Sequence, residues 1–187
     1  MRKVFKIILA VFAVLLVIVV ALGAVFFLDV SAYTSTGSST LTPTGTSAGK
    51  ALVIYDAGWS GSVKIVVDKV ASDLQSKGYT VTVAGIKSSA AAKTAGYQII
   101  VVGGPIYAGS PTSSVKDCLN NLNPAQGVKV GVFGSGQGAT TPSDVQMIKD
   151  SVTSLKNGAL SNAVVVKIGQ TEDVAARALD FVNQLTI

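Results

Sequence analysis

Three short segments hold most of the residues that could do chemistry, and all three are rich in small or hydroxyl-bearing side chains. The first, Asp56-Ala-Gly-Trp-Ser-Gly-Ser62, combines a carboxylate, an aromatic ring, two hydroxyls and two glycines. Helical periodicity starts at Val63, just after it. Backbone N–H groups at a helix start, joined by the Ser60 and Ser62 hydroxyls, form a cradle for an anion such as phosphate. Gly58 and Gly61 let the chain turn tightly there. The competing reading is a plain capped loop, because Ser is a preferred N-cap whether or not anything binds.

The second segment, Gly104-Pro-Ile-Tyr-Ala-Gly-Ser-Pro111, has two prolines that stiffen a turn. Pro105, Ile106, Ala108 and Gly109 frame Tyr107, whose ring is placed to stack on a planar group for ~0.5–1.5 kcal/mol. A tyrosine packed on its own loop is the alternative. The third segment, Gly134-Ser-Gly-Gln-Gly-Ala139, offers backbone donors from Gly134, Ser135, Gly136, Gln137 and Gly138. Its alternative is an ordinary strand-to-helix loop.

What is missing narrows the chemistry further. The chain has no histidine, which excludes imidazole metal ligation and His-based acid–base catalysis. Its single cysteine, Cys118, cannot close an intramolecular disulfide, and its helical context suits a buried structural thiol. Reaction chemistry must then come largely from a bound cofactor or a partner.

The elements that position these loops alternate. Ala51–Tyr55 is a continuous apolar run, as a buried strand requires. Val63, Val66, Val67, Val70 and Leu74 recur at helical spacing, and Gly78 stops that helix. Tyr79–Val83, Gln98–Val102, Val128–Phe133 and Ala163–Ile168 read as four more strands. Between them lie a short Ala-rich helix or turn over Ser88–Ala95, a helix over Ser113–Leu122, and one over Pro142–Lys156 that buries Val145, Ile148, Val152 and Leu155. A closing helix runs from Thr171 or Glu172 to Leu185 with Val174, Ala175, Leu179 and Val182 inward. This alternation predicts an α/β three-layer sandwich, a five-stranded parallel sheet with helices on both faces. In an order 2-1-3-4-5 the three loops fall side by side outside the carboxyl ends of the strands.

The N-terminal part is different. Residues 1–6 are a basic flank, and Ile7–Leu28 carries no charge or strongly polar side chain. As a helix that run spans ~33 Å, enough for a hydrocarbon core of ~30 Å. It predicts one transmembrane helix over residues 7–28; a cleaved signal peptide, whose apolar core is usually ~7–15 residues, is the rival. Arg2, Lys3 and Lys6 precede the run and Asp29 follows it, which places the N-terminus in the cytoplasm and the domain, 50–187, outside. Residues 29–49 are rich in Ser, Thr and Gly, and predict a flexible linker whose uncharged stretch, Ser31–Ala48, reaches ~25 Å as a random coil. The formal charge is +5, and the three basic residues ahead of the apolar run carry much of it. No basic block remains to mark a nucleic-acid partner.

The stretch ALVIYDAGWSGSVKIVVDKVASDL resembles the opening strand, phosphate loop and first helix of the flavodoxin family. QIIVVGGPIYAGSP resembles that family's second flavin loop and VGVFGSGQG its third, so the likeness covers residues 50–187 in order. It implies non-covalent FMN binding, with Ser60, Gly61, Ser62 and Val63 facing phosphate and Tyr107 against the ring. Asp56 stands where the family commonly has a neutral residue, and Ser-Gly-Ser replaces its usual Gly-Asn-Thr type of triplet. Trp59 is a shield for the phosphate or a second stacking surface. The implied function is electron transfer between redox partners at a membrane. A flavin-dependent quinone-type reductase and a flavin-free interaction module are the alternatives.

Overall fold

The structure, a computed structural model, describes the backbone of residues 2–32 and 35–187, and the side chains of residues 5, 6, 8–23 and 35–187. It divides into two units, Met1–Tyr33 and Thr34–Ile187. The first holds helix α1, Arg2–Ala32. Its described side chains are all exposed, among them Phe5, Ile8, Phe12 and Leu22. Among the described residues no helix is long and apolar enough to cross a membrane. The contiguous described side chains, 8–23, cover about 24 Å of helix, short of a ~30 Å core. Parts of the expected span, residues 7 and 24–28, lie outside the described side chains.

The second unit is built on β2 (Gly49–Tyr55), β3 (Tyr79–Gly85), β4 (Ile99–Tyr107), β6 (Lys129–Gly136) and β7 (Val164–Gly169). These five are parallel, in the order β3-β2-β4-β6-β7, which is the expected 2-1-3-4-5 arrangement. Two further strands correct the expected count of five. β1 (Ser38–Leu41) adds antiparallel to β3 at the edge, and β5 (Ser110–Pro111) folds back on β4. Strand β1 falls inside the stretch read as flexible linker. Its sequence, SSTL, looks like a stalk because an edge strand packs on one side only. Only Leu41 reaches the core. Its antiparallel direction brings Ser35 and Gly37 to the carboxyl edge of the sheet. There the Gly85 and Lys87 amides donate to the Gly37 and Ser35 carbonyls, at 2.8 and 3.1 Å.

Helices cover both faces. α2 (Ser62–Ser76) and α6 (Val174–Leu185) pack on one, over a core that includes Val53, Val67, Leu74, Phe133 and Phe181. α3 (Ser113–Asn120), α4 (Pro142–Ser151) and α5 (Thr153–Lys156) take the other, over Leu52, Ile100, Val102, Leu119 and Ile148. The five apolar positions expected to face inward on α2 are all buried.

Of the two forms expected over Ser88–Ala95, helix or turn, the chain takes turns and bends. Two local expectations change. The helix expected over Pro142–Lys156 breaks at Val152, whose extended backbone sinks its side chain into the core with no exposure. α6 starts at Val174 because the Asp173 carboxylate caps the Ala175 and Ala176 amides. Its buried stripe is Ala178, Phe181, Val182 and Leu185, which leaves Leu179 and Ala175 exposed. The bulky Phe181 takes the core position, and the face turns with it.

Candidate functional site

The three Gly- and Ser-rich loops meet at the carboxyl edge, around a cleft of about 470 Å3. Trp59, Ser60 and Ser62 line it from the first loop, Pro105 to Gly109 from the second, and Ser135, Gly136 and Gln137 from the third. A cleft of this size lies in the ordinary range for small-molecule sites, roughly 300–1,000 Å3.

The first loop ends at Gly61, which adopts a left-handed conformation (φ 72°) as the N-cap of α2. No side chain caps this 15-residue helix. Hydroxyls gather at its start instead: Ser60 Oγ lies 2.8 Å from Ser62 Oγ, and the Ser135 hydroxyl donates to Ser62 Oγ at 3.4 Å. The result is an N-terminus with positive dipole character, uncapped by a carboxylate and ringed by groups that donate or accept. Val63, expected to face phosphate, has its side chain in the core. The whole residue has no exposed surface and does not line the cleft.

The second loop is a hairpin. Tyr107 pairs with Ser110 across Ala108 and Gly109, and both central residues have positive φ (49° and 80°). This is the signature of a type I′ turn. Ile106 locks the loop down, because a Cβ on Gly134 would overlap its side chain. Gly134 is thus a seat for Ile106 and does not line the cleft. Tyr107 leans back on the first loop. Burial pushes its hydroxyl above the usual phenol range, opposed by a backbone hydrogen bond from Trp59. Trp59 is half exposed, at 53%.

Asp56 is not part of the cleft lining. It is 2% exposed and accepts from the Gly58 amide (3.1 Å), the Thr112 hydroxyl (2.8 Å) and the Ser114 hydroxyl. The carboxylate therefore pins the first loop to the start of α3. Its oxygens are turned to these partners, and the residue does not line the cleft. Gly138 (φ 71°) shapes the third loop, and its carbonyl lies where a Cβ on Gly169 would fall.

Three cleft residues were not among the expected ones: Asp144, Lys167 and Gln170. Lys167 is the lone charge in the strand VVVKIG. That break in an apolar run was the available signal. Its amine lies 3.1 Å from Asp144 Oδ2 and donates to the Ala139 carbonyl at 3.3 Å. Asp144 closes a capping box with Thr141 at the start of α4. Hydrogen bonds from Thr141, then Lys167, hold its carboxyl below the usual range.

A second cavity of about 540 Å3 lies beside α3 under the turns that replace a crossover helix, and includes Ile86, Ser114 and Cys118. Burial pushes the Cys118 thiol up to about 11, so it is protonated and unreactive at neutral pH. Among the described residues no group of His, Cys, Asp and Glu could hold a metal ion.

No family model matches the chain, and no curated protein matches it. Solved structures do. Oxidised flavodoxin 2 from Bacillus cereus is 19% identical with a TM-score of 0.51, covering 73% of this chain and 97% of that one. A short-chain flavodoxin associated with a non-canonical PDU bacterial microcompartment is 19% identical with a TM-score of 0.53, covering 73% and 95%. Rubredoxin oxygen:oxidoreductase from the anaerobe Desulfovibrio gigas is 18% identical with a TM-score of 0.52, covering 75% of this chain. The chain spans about a third of that protein's length, 36%. At such identities the likeness is one of fold: the unit Thr34–Ile187 has the flavodoxin-like α/β fold.

Proposed function

We propose that this protein binds FMN in the carboxyl-edge cleft and passes electrons between redox partners while α1 holds it at a membrane. The observation that carries the reading is the convergence of three loops on one cleft beside an uncapped helix N-terminus. The donor set suits the ligand. The α2 N-terminus with Ser60, Ser62 and Ser135 would hold the phosphate, as helix N-termini hold anions. Tyr107 and Trp59 would flank the ring, and the backbone of Gly136 and Gln137 would meet its polar edge. FMN, when bound, supplies the redox chemistry. The chain supplies position, shielding and charge.

The tether reading rests on the uncharged run Ile7–Leu28, on the 31-residue length of α1 and on the exposure of its described apolar side chains. The basic flank supports a cytoplasmic N-terminus and a domain outside, which protease access to intact cells would test. A quinone-type acceptor is a second reading, favoured by the same apolar helix, which would keep the chain beside lipid-soluble substrates. A quinone-dependent reoxidation assay separates the two.

The central test is titration of FMN with the full chain in detergent. Fluorescence quenching at micromolar protein is the expected result. Unchanged fluorescence would leave only the flavin-free interaction module.

A further inference from the structure

Lys167 is the cation lining the cleft among its described residues. Its side chain is 8% exposed. The stem runs past Gly136, where an added Cβ would lie 3.7 Å from Lys167 Cε, so it passes under the third loop. Its backbone carbonyl is held as well, by the Thr140 hydroxyl at 2.9 Å and by Arg177 Nη2 at 3.3 Å. The position is built, yet an ammonium is costly to bury before it is paired. One half-buried carboxylate, Asp144, offsets part of that cost. An apolar residue would serve the fold as well or better. A buried charge retained at a cleft points to a role in the cleft.

We propose that Lys167 sets the charge preference of the cleft, stabilising negative charge on the bound ligand. This rests on the FMN reading. Two electrons and one proton added to oxidised FMN leave the reduced form with one extra negative charge at neutral pH. A fixed ammonium in the cleft therefore favours the reduced ligand over the oxidised one. Asp144 opposes it, because its carboxylate neutralises the amine at 3.1 Å.

The two partners thus make opposite predictions, which a merely structural ion pair would not. With the full chain, FMN affinity is measured oxidised, by fluorescence quenching, and reduced, with dithionite as electron source and solvent as proton source. Lys167→Met is expected to lower the preference for reduced FMN roughly tenfold. Lys167→Arg should keep it. Asp144→Asn, which retains an acceptor for the Thr141 amide, should raise it severalfold. If Lys167→Met does not fold, the Asp144→Asn arm still decides the sign. Wild-type protein that binds FMN, with both variants shifting the same way or not at all, overturns the inference alone. Wild-type protein that binds no FMN overturns the flavin reading, and the inference with it.

Discussion

At the residue scale, carboxylates do most of the fastening in the cleft region. Asp56 joins the first loop to α3, Asp144 joins the start of α4 to Lys167, and Glu172 joins the end of β7 to Thr140, just past the third loop. Glu172 accepts from the Thr140 hydroxyl at 2.6 Å and from the Gly169 amide at 2.7 Å. Burial pushes its carboxyl up, but these hydrogen bonds and the nearby Arg177 outweigh it and hold the group below the usual carboxylate range. A depressed folded value contributes stability above the unfolded value, and that contribution is lost as pH falls through the folded one. Glu172→Gln should therefore cost about 1.5–3 kcal/mol at pH 7, the scale of hydrogen bonds to a charged group. The difference from wild type should shrink below pH 4. Urea denaturation at a series of pH values checks both; a deficit that stays constant down to pH 3 would rule out the charged form as the cause.

At the element scale, β1 is the feature most easily misread. Ser38–Leu41 is mostly exposed hydroxyl residues, the composition of a stalk, yet it pairs with Val81–Ala84 of β3. Amides in this strand should exchange with deuterium measurably more slowly than those of residues 43–47, which lie outside any strand. Hydrogen exchange with mass spectrometry resolves the two segments. Equal, fast exchange across both would mean β1 is not formed in solution. The hairpin of β4 and β5 is the opposite case. Its motif Gly-Pro-x-Tyr-x-Gly-x-Pro announced a rigid turn, and Ala108 and Gly109 form it. What the motif did not reveal is that Tyr107 closes back on the Trp59 backbone.

For the whole molecule, two units with separate properties share one chain. The unit Thr34–Ile187 has its own two-sided core and the edge strand β1. The full chain is expected to sediment with membranes, and a chain starting at Thr34 to remain in the supernatant after ultracentrifugation. Full-length protein found wholly in the supernatant would remove the tether from the proposal.

Much of this was legible in the sequence because it depends on periodicity, which is local. The five parallel strands, the inward face of α2 and the loop content of the cleft follow from apolar runs of strand length, 3.6-residue spacing and clustered Gly and Ser. The sheet order followed from the resemblance to the flavodoxin family, because alternation of strand and helix alone fits more than one doubly wound order. Other features depended on partners far away in the chain. Asp56 turned out to be a fastener because Thr112 and Ser114, more than fifty residues on, supply its hydrogen bonds. The face of α6 turned because Phe181 needed the core between β6 and α2. Lys167 became a cleft residue only when β6 and β7 paired in register and brought it beside Gly134, under the third loop. Local pattern determined the five parallel strands, most of the helices between them and the loops rich in Gly and Ser. Pairing and packing decided which side chains those loops present, because contact between residues distant in sequence has no local signature.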